Sequence, residues 1–328
     1  MGSSTQATPE KAGHSRFLLP VLGLSVMSTW LVTVTFQLLL FDIARDFQVQ
    51  VGTAGLTAAV GSISGIIFGL LMAVVSIRYN HKMLLLLGLI GTFLAALGFF
   101  LAPNFAWLLV PNIGVGAGIA IVTSMAYSIV GDVYPLQKRG RAIGVMVAAT
   151  GLAYVAGAPL VDVIADVFGG WRSVMILLSI PITLISLGLG AAFIPNKTNL
   201  NPPREKEPFS IGCKLAFTNR STMAALTVTM FMLAEAAIGF YAVSFFREQF
   251  NMSLGNAAIF TIVGSIMGSI GGVVSGLLVN QVGRKRLGTI TCVIAGALTF
   301  LFTFMPTVEA SFALGIARFW FSSMTFTA

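Results

Sequence analysis

The chain has 328 residues, 56% of them hydrophobic and only 9% charged, and a mean hydropathy of +0.93. Soluble domains carry about 25% charged residues; no soluble core could hide this much apolar surface, so the solvent must be lipid. The net charge of +8 could suggest nucleic acid, but the basic residues fall where membrane topology puts them, and a nucleic-acid partner is excluded.

Residues 1–16 form a small, polar tail ending in Lys11, His14 and Arg16, expected to be disordered and cytoplasmic. The next run, 17–41, holds 25 residues without a charge. A signal peptide's apolar core is only about 7–15 residues long, so this is a retained first span. Asp42, Arg45 and Asp46 follow as an expected solvated loop. A second uncharged run reaches Ile77 and ends at Arg78, His81 and Lys82. From Met83 to Gly131 there is no charge, too much for one crossing at about 20 residues each. Pro103 and Asn104 supply the turn between spans three and four. Span five is expected to end near Val161, with Asp162 and Asp166 at its outer end, and span six covers 173–194. The polar segment 195–222 reads as a linker between an N-terminal bundle, 17–194, and a C-terminal bundle, 223–328. Spans seven to ten are expected over 223–246, 253–279, 287–305 and 310–328. Cys213 lies in the linker and Cys292 in an apolar run, which argues against a disulfide.

With the tail inside, cytoplasmic segments hold 15 of the 19 Lys and Arg residues. The opposite side has Arg45, Arg172 and Arg247, and Arg318 falls inside span ten. This bias sets the orientation, because positive charge collects on the cytoplasmic side.

The chain also repeats itself. Gly61, Ser62, Ile63 and Gly65 match Gly264, Ser265, Ile266 and Gly268 at an offset of 203, which also places Phe47 on Phe250, Gly69 on Gly272 and Lys82 on Lys285. One ungapped offset over three spans, with an even number of spans per copy, is a parallel repeat. By that offset a complete second copy would run to about residue 398, so truncation within span ten is expected.

These motifs resemble the major facilitator superfamily. Its loop after span eight, G-x-L-x-D-x-x-G-R-[KR], is matched by Gly276, Leu278, Gly283, Arg284 and Lys285, with Asn280 for the acid. The copy after span two is degraded: Ile77 stands for the acid, Asn80 for glycine and His81 for arginine. Between spans four and five, Asp132, Pro135, Arg139, Gly140, Ala142 and Gly144 resemble the family's D-x-x-P-x-x-x-R-G-x-A-x-G segment, and Gly170, Trp171 and Arg172 resemble its landmark before span six. The span-four arginine often tied to proton coupling would fall at Pro111 and is absent. The resemblance implies an all-α polytopic membrane protein: a parallel repeat of helix bundles, here about ten helices with the last two missing. It implies secondary transport by alternating access, with proton-coupled efflux of a drug or metabolite favoured over uptake by symport or a non-transporting product.

The candidate site follows from charges inside spans. Glu235 is the one carboxylate well inside a span, and burying it costs about 2.5–3.5 kcal/mol or more; such a group suits a proton carrier or a cation anchor. Arg318 could meet an anionic group or pair with Glu235. Gln37, Asn112, Tyr127 and Tyr241 are candidate cavity residues. Asp132 with Arg139 and Arg141, and the turn of Gly283, Arg284 and Lys285, are expected to be gating loops. Asn251 opens a weak glycosylation pattern with Ser253. No zinc-protease, paired-aspartate or nucleophile–base pattern occurs, so an enzyme is not expected. Nor is a cofactor or a metal. The expected partners are a small-molecule solute, a coupling ion taken as a proton, and the lipid bilayer. The chain is expected to be a monomer of the plasma (inner) membrane.

Overall fold

The computed structural model describes residues 17–196, 218–220, 222–223, 227, 230 and 239–327. The tail, most of the linker, most of the expected span seven and Glu235 lie outside the described residues. In the first half, α1 (Leu18–Asp46) is followed by α2 (Val51–Ala54), α3 (Leu56–Val75), α4 (His81–Phe100) and α5 (Phe105–Val133). Then come α6 (Leu136–Val155), α7 (Gly157–Phe168), α8 (Trp171–Val174), a π-helical turn (Met175–Ser179) and α9 (Ile180–Phe193). In the second half, α10 (Ala242–Phe250), α11 (Leu254–Val282), α12 (Arg284–Phe302) and α13 (Val308–Thr327) are described. Among the described residues, eight helical stretches are long and apolar enough to cross a membrane.

Helices are what an apolar chain must form in lipid, because each backbone donor has to be satisfied within its own segment. Side-chain hydroxyls obey the same rule. Ser25 donates to the Val21 carbonyl at 2.9 Å, Thr35 to Leu31 at 2.9 Å and Thr92 to Gly88 at 3.0 Å. The helix starts carry the expected caps. Asn104 accepts from the Trp107 amide at 2.9 Å and Asn80 from that of Lys82 at 2.9 Å. The left-handed conformation of Asn251, φ 51°, ends α10 four residues beyond the expected boundary. The Asn251 pattern thus has a structural explanation as a helix stop.

Helix α1 is the centre of the first half, with 67% of its span buried. It packs on α5, α6 and α9, while α3 and α4 pack on α5. The second half repeats the last arrangement: α11 and α12 pack on α13. The repeat holds at atomic detail. A Cβ added to Gly65 would sit 3.4 Å from the Gly116 carbonyl oxygen, and one added to Gly268 would sit 3.4 Å from that of Phe319. Both members of the second pair lie 203 residues after those of the first.

The two halves meet along α1 with α10, and along α6 and α7 with α11. Asp42, Arg45 and Asp46, expected in a solvated loop, instead occupy the last turns of α1. A helix can run past the apolar stretch when partners wait for its charges, and here they do: Arg247 pairs with Asp42 and Arg172 with Asp46.

Candidate functional site

A polar group inside the bundle needs a partner, because hydrocarbon supplies none. Gln37, 7% exposed on α1, donates from Nε2 to the Gly239 carbonyl at 3.2 Å. On the other side of Gly239 lies Arg318 of α13, itself 2% exposed. A Cβ on Gly239 would come within 2.7 Å of Arg318 Nη2, so the guanidinium end lies directly against the Gly239 backbone. That cation also lies 4.7 Å from the ring centre of Phe319 and 5.9 Å from that of Phe302; the negative ring faces favour a desolvated cation there. Gln37, Gly239 and Arg318 therefore form one buried polar cluster drawn from both halves.

The other cavity candidates do not join it. Asn112 is buried, but its amide donates to the Leu108 carbonyl of its own helix at 2.8 Å, one turn back and beside Pro111. Tyr127 is half-buried and packs on the first half's core around Ile121 and Met125. Tyr241 seals a seam: its ring fits where a Cβ on Gly55 would collide with it, and it meets Phe240 edge-on at 5.6 Å.

The expected charge pair of Asp132 with Arg139 and Arg141 is not formed. Asp132 Oδ2 instead lies 2.7 Å from His81 Nδ1, with both side chains largely buried. Arg139 donates from Nε to the Tyr134 carbonyl at 2.9 Å and from Nη2 to that of Gly131, holding the turn between α5 and α6. Arg141 is exposed. The reason is geometric. Arg139 is near enough in sequence to cap carbonyls left open at the end of α5, whereas His81 starts the antiparallel neighbour of α5 and so stands beside its last turn. Gly283, at φ 88°, makes the turn into α12 as the motif requires, and Lys285 follows it exposed.

On the opposite face of the protein, Trp171 and Arg172 explain their own motif. Trp171 donates from Nε1 to Asp46 Oδ2 at 3.0 Å, and Arg172 donates to the same oxygen at 2.7 Å. Arg172 also reaches the Ala102 carbonyl at 3.1 Å and stacks on Trp171 at 4.4 Å. Three chain segments are tied together there, beside an open cavity of about 550 Å³ that Asp42 and Arg45 also line. Sequence reasoning placed Asp42, Asp46 and Arg247 in loops and missed Gly239 altogether. A signal was available for the acids, since both fall in helical phase with the end of α1. Among the described residues, no three metal-ligating side chains converge.

Known proteins share this architecture. The chain is 30% identical over 183 residues to an uncharacterized MFS-type transporter, YfhI, of Bacillus subtilis (strain 168); the match covers 56% of this chain and 45% of that protein. A bacterial homolog of the human lysosomal transporter Spinster, in an inward-facing, unoccupied conformation, superposes with a TM-score of 0.73 at 18% identity, covering 96% of this chain and 74% of that one. A D-xylose–proton symporter superposes with a TM-score of 0.70 at 17% identity, covering 94% and 80%. The sequence profile of the Major Facilitator Superfamily matches residues 18–328, and the chain belongs to that superfamily.

Proposed function

We propose that this protein is a secondary transporter that moves a small solute across the plasma (inner) membrane by alternating access, coupled to a proton. The observation that carries this reading is the buried cluster of Gln37, Gly239 and Arg318, where a helix from each half contributes a polar group at the seam between them. Buried polarity between two rocking halves is where such proteins bind solute. Arg318 would meet an anionic part of the solute or the Glu235 carboxylate, and Glu235 would carry the proton. The likeness to a proton symporter supports proton coupling. Export is favoured and uptake is the second reading. Two bundles, 17–194 and 223–328, joined by a cytoplasmic linker, are the moving parts.

In this reading the His81 face is cytoplasmic and the Asp42 face is external. A cysteine at position 50, exposed between α1 and α2, should react with an impermeant thiol reagent in intact cells, and one at position 204 should not. The reverse pattern overturns the orientation.

Coupling is tested in energised everted vesicles carrying a pH-sensitive dye. A cationic dye, a carboxylate dye and a pentose are added in turn. Export by antiport predicts that one of them releases protons from the vesicles, and that a protonophore lowers its accumulation at least tenfold. Accumulation indifferent to the protonophore would remove the proton from the mechanism.

A further inference from the structure

On the Asp42 face the two halves are tied by charge. Arg247, near the end of α10, reaches across to α1 and grips Asp42 with both terminal nitrogens: Nη2 donates to Oδ1 at 2.7 Å and Nη1 donates to Oδ2. The Arg247 side chain is 12% exposed and that of Asp42 31% exposed. The guanidinium also covers the Phe41 ring at 4.7 Å. This is the two-pronged geometry in which arginine binds a carboxylate most strongly, and partial burial protects it from screening by salt.

A second acid, Asp162 of α7, lies on the same seam between the halves. That carboxylate is wedged against α11, where a Cβ on Gly255 would lie 2.5 Å from Asp162 Oδ2. The remaining charges nearby are otherwise placed. Asp46 is held by Arg172, while Arg45 and Glu248 are exposed. Asp166 stands one turn beyond Asp162. Arg247 Nε is buried and has no acceptor among the described residues. A buried donor left unmatched weakens the closed arrangement, which keeps the clamp from being too deep to open.

We propose that Arg247 and Asp42 are the lock of the outer gate. The pair holds α10 to α1 while the external side is shut, and it has to part before that side opens. As the halves separate, Arg247 gains water at Nε. Both residues are therefore positioning residues for transport, setting the balance between the two access states without touching the solute. This inference rests on the transport reading above, but its test does not require transport.

The reporter is Ser244→Cys. Ser244 is 1% exposed and sits three residues before Arg247, on the same stripe of α10. Its reaction with a small impermeant thiol reagent is followed on the full chain in lipid nanodiscs, against the same chain without the reporter. Asp42→Asn and Arg247→Gln should each raise the labelling rate at least tenfold. The exchange of Asp42→Arg with Arg247→Asp should bring the rate back to within about threefold of the parent, and Arg247→Lys should fall between. Melting temperature is measured in parallel. Rates within twofold of the parent in both single variants overturn the lock, as does an exchange variant that stays fast while melting normally. A labelling response in a chain that moves no solute would uphold the lock and sink the transport reading instead.

Discussion

Gly116→Leu should yield no folded protein, and even Gly116→Ala should lower the melting temperature by several degrees. The reason lies where α3 crosses α5. A single Cβ on Gly116 would overlap the carbonyl oxygen of Gly61, with the Gly61 carbonyl carbon at 2.7 Å. The obstacle is backbone, which cannot swing aside as a side chain does. Ser64 adds a hydrogen bond from the same helix to the Ile113 carbonyl at 2.7 Å, so separating the helices also loses that bond. Overpacking costs about 1–3 kcal/mol in ordinary cores and occasionally more; a backbone-to-backbone contact belongs at the upper end. Small residues at such crossings are how helices attract one another where the hydrophobic effect is weak. The control is Gly144→Ala on α6, where a Cβ would meet nothing within 4 Å and alanine is the better helix former. Its melting temperature should not fall. Thermal unfolding in detergent, read by size-exclusion recovery, checks both. Equal melting of the Gly116→Ala and Gly144→Ala variants would refute the crossing as a point of strain.

Replacing Glu235 with glutamine should abolish pH-driven transport while weakening solute binding by less than about tenfold, roughly 1.4 kcal/mol. The substitution keeps volume and hydrogen-bonding capacity but cannot gain or lose a proton. By the sequence, with Pro111 where the family often has an arginine and no acid within 17–41, Glu235 is the carboxylate expected well inside a span. Normal transport under a proton gradient would make Glu235 structural. Loss of binding as well would make it the anchor of a cationic solute. Flux in proteoliposomes and equilibrium binding, measured on the same preparation, separate the three outcomes.

The spans that the structure describes were legible because lipid leaves an unambiguous mark: apolar runs of crossing length, broken by charge. The repeat was legible for a related reason. Gly65 and Gly268 hold the same place against a partner helix, each with a backbone carbonyl oxygen 3.4 Å from where a Cβ would lie. Pairings across the molecule were not legible. Nothing in the neighbourhood of Asp42 announces Arg247, and the two lie 205 residues apart. A charge at a helix end looks the same whether water or an arginine waits for it. For Asp132 the sequence offered Arg139 close by, and the chain used that arginine to cap carbonyls instead. Gly239 was invisible because what it contributes is a backbone carbonyl to Gln37 and a surface beside Arg318. Glu235 and the linker lie outside the described residues, so the sequence argument carries them alone.

The π-helical turn at Met175–Ser179 makes span six a counted element. A wider turn holds one more residue than an α-helical turn of 3.6, so the residues before and after it keep different phases. After it, Thr183, Ser186 and Gly190 face inward. Ser186 reaches the Leu24 carbonyl at 3.3 Å, and Gly190 leaves room for Leu86. Removing one residue from the turn would restore regular α-helical bonding and rotate everything beyond it by about 100°. The inward stripe would then swing toward lipid. This part of the chain can accept many changes of residue on its lipid side, but it is constrained in residue number.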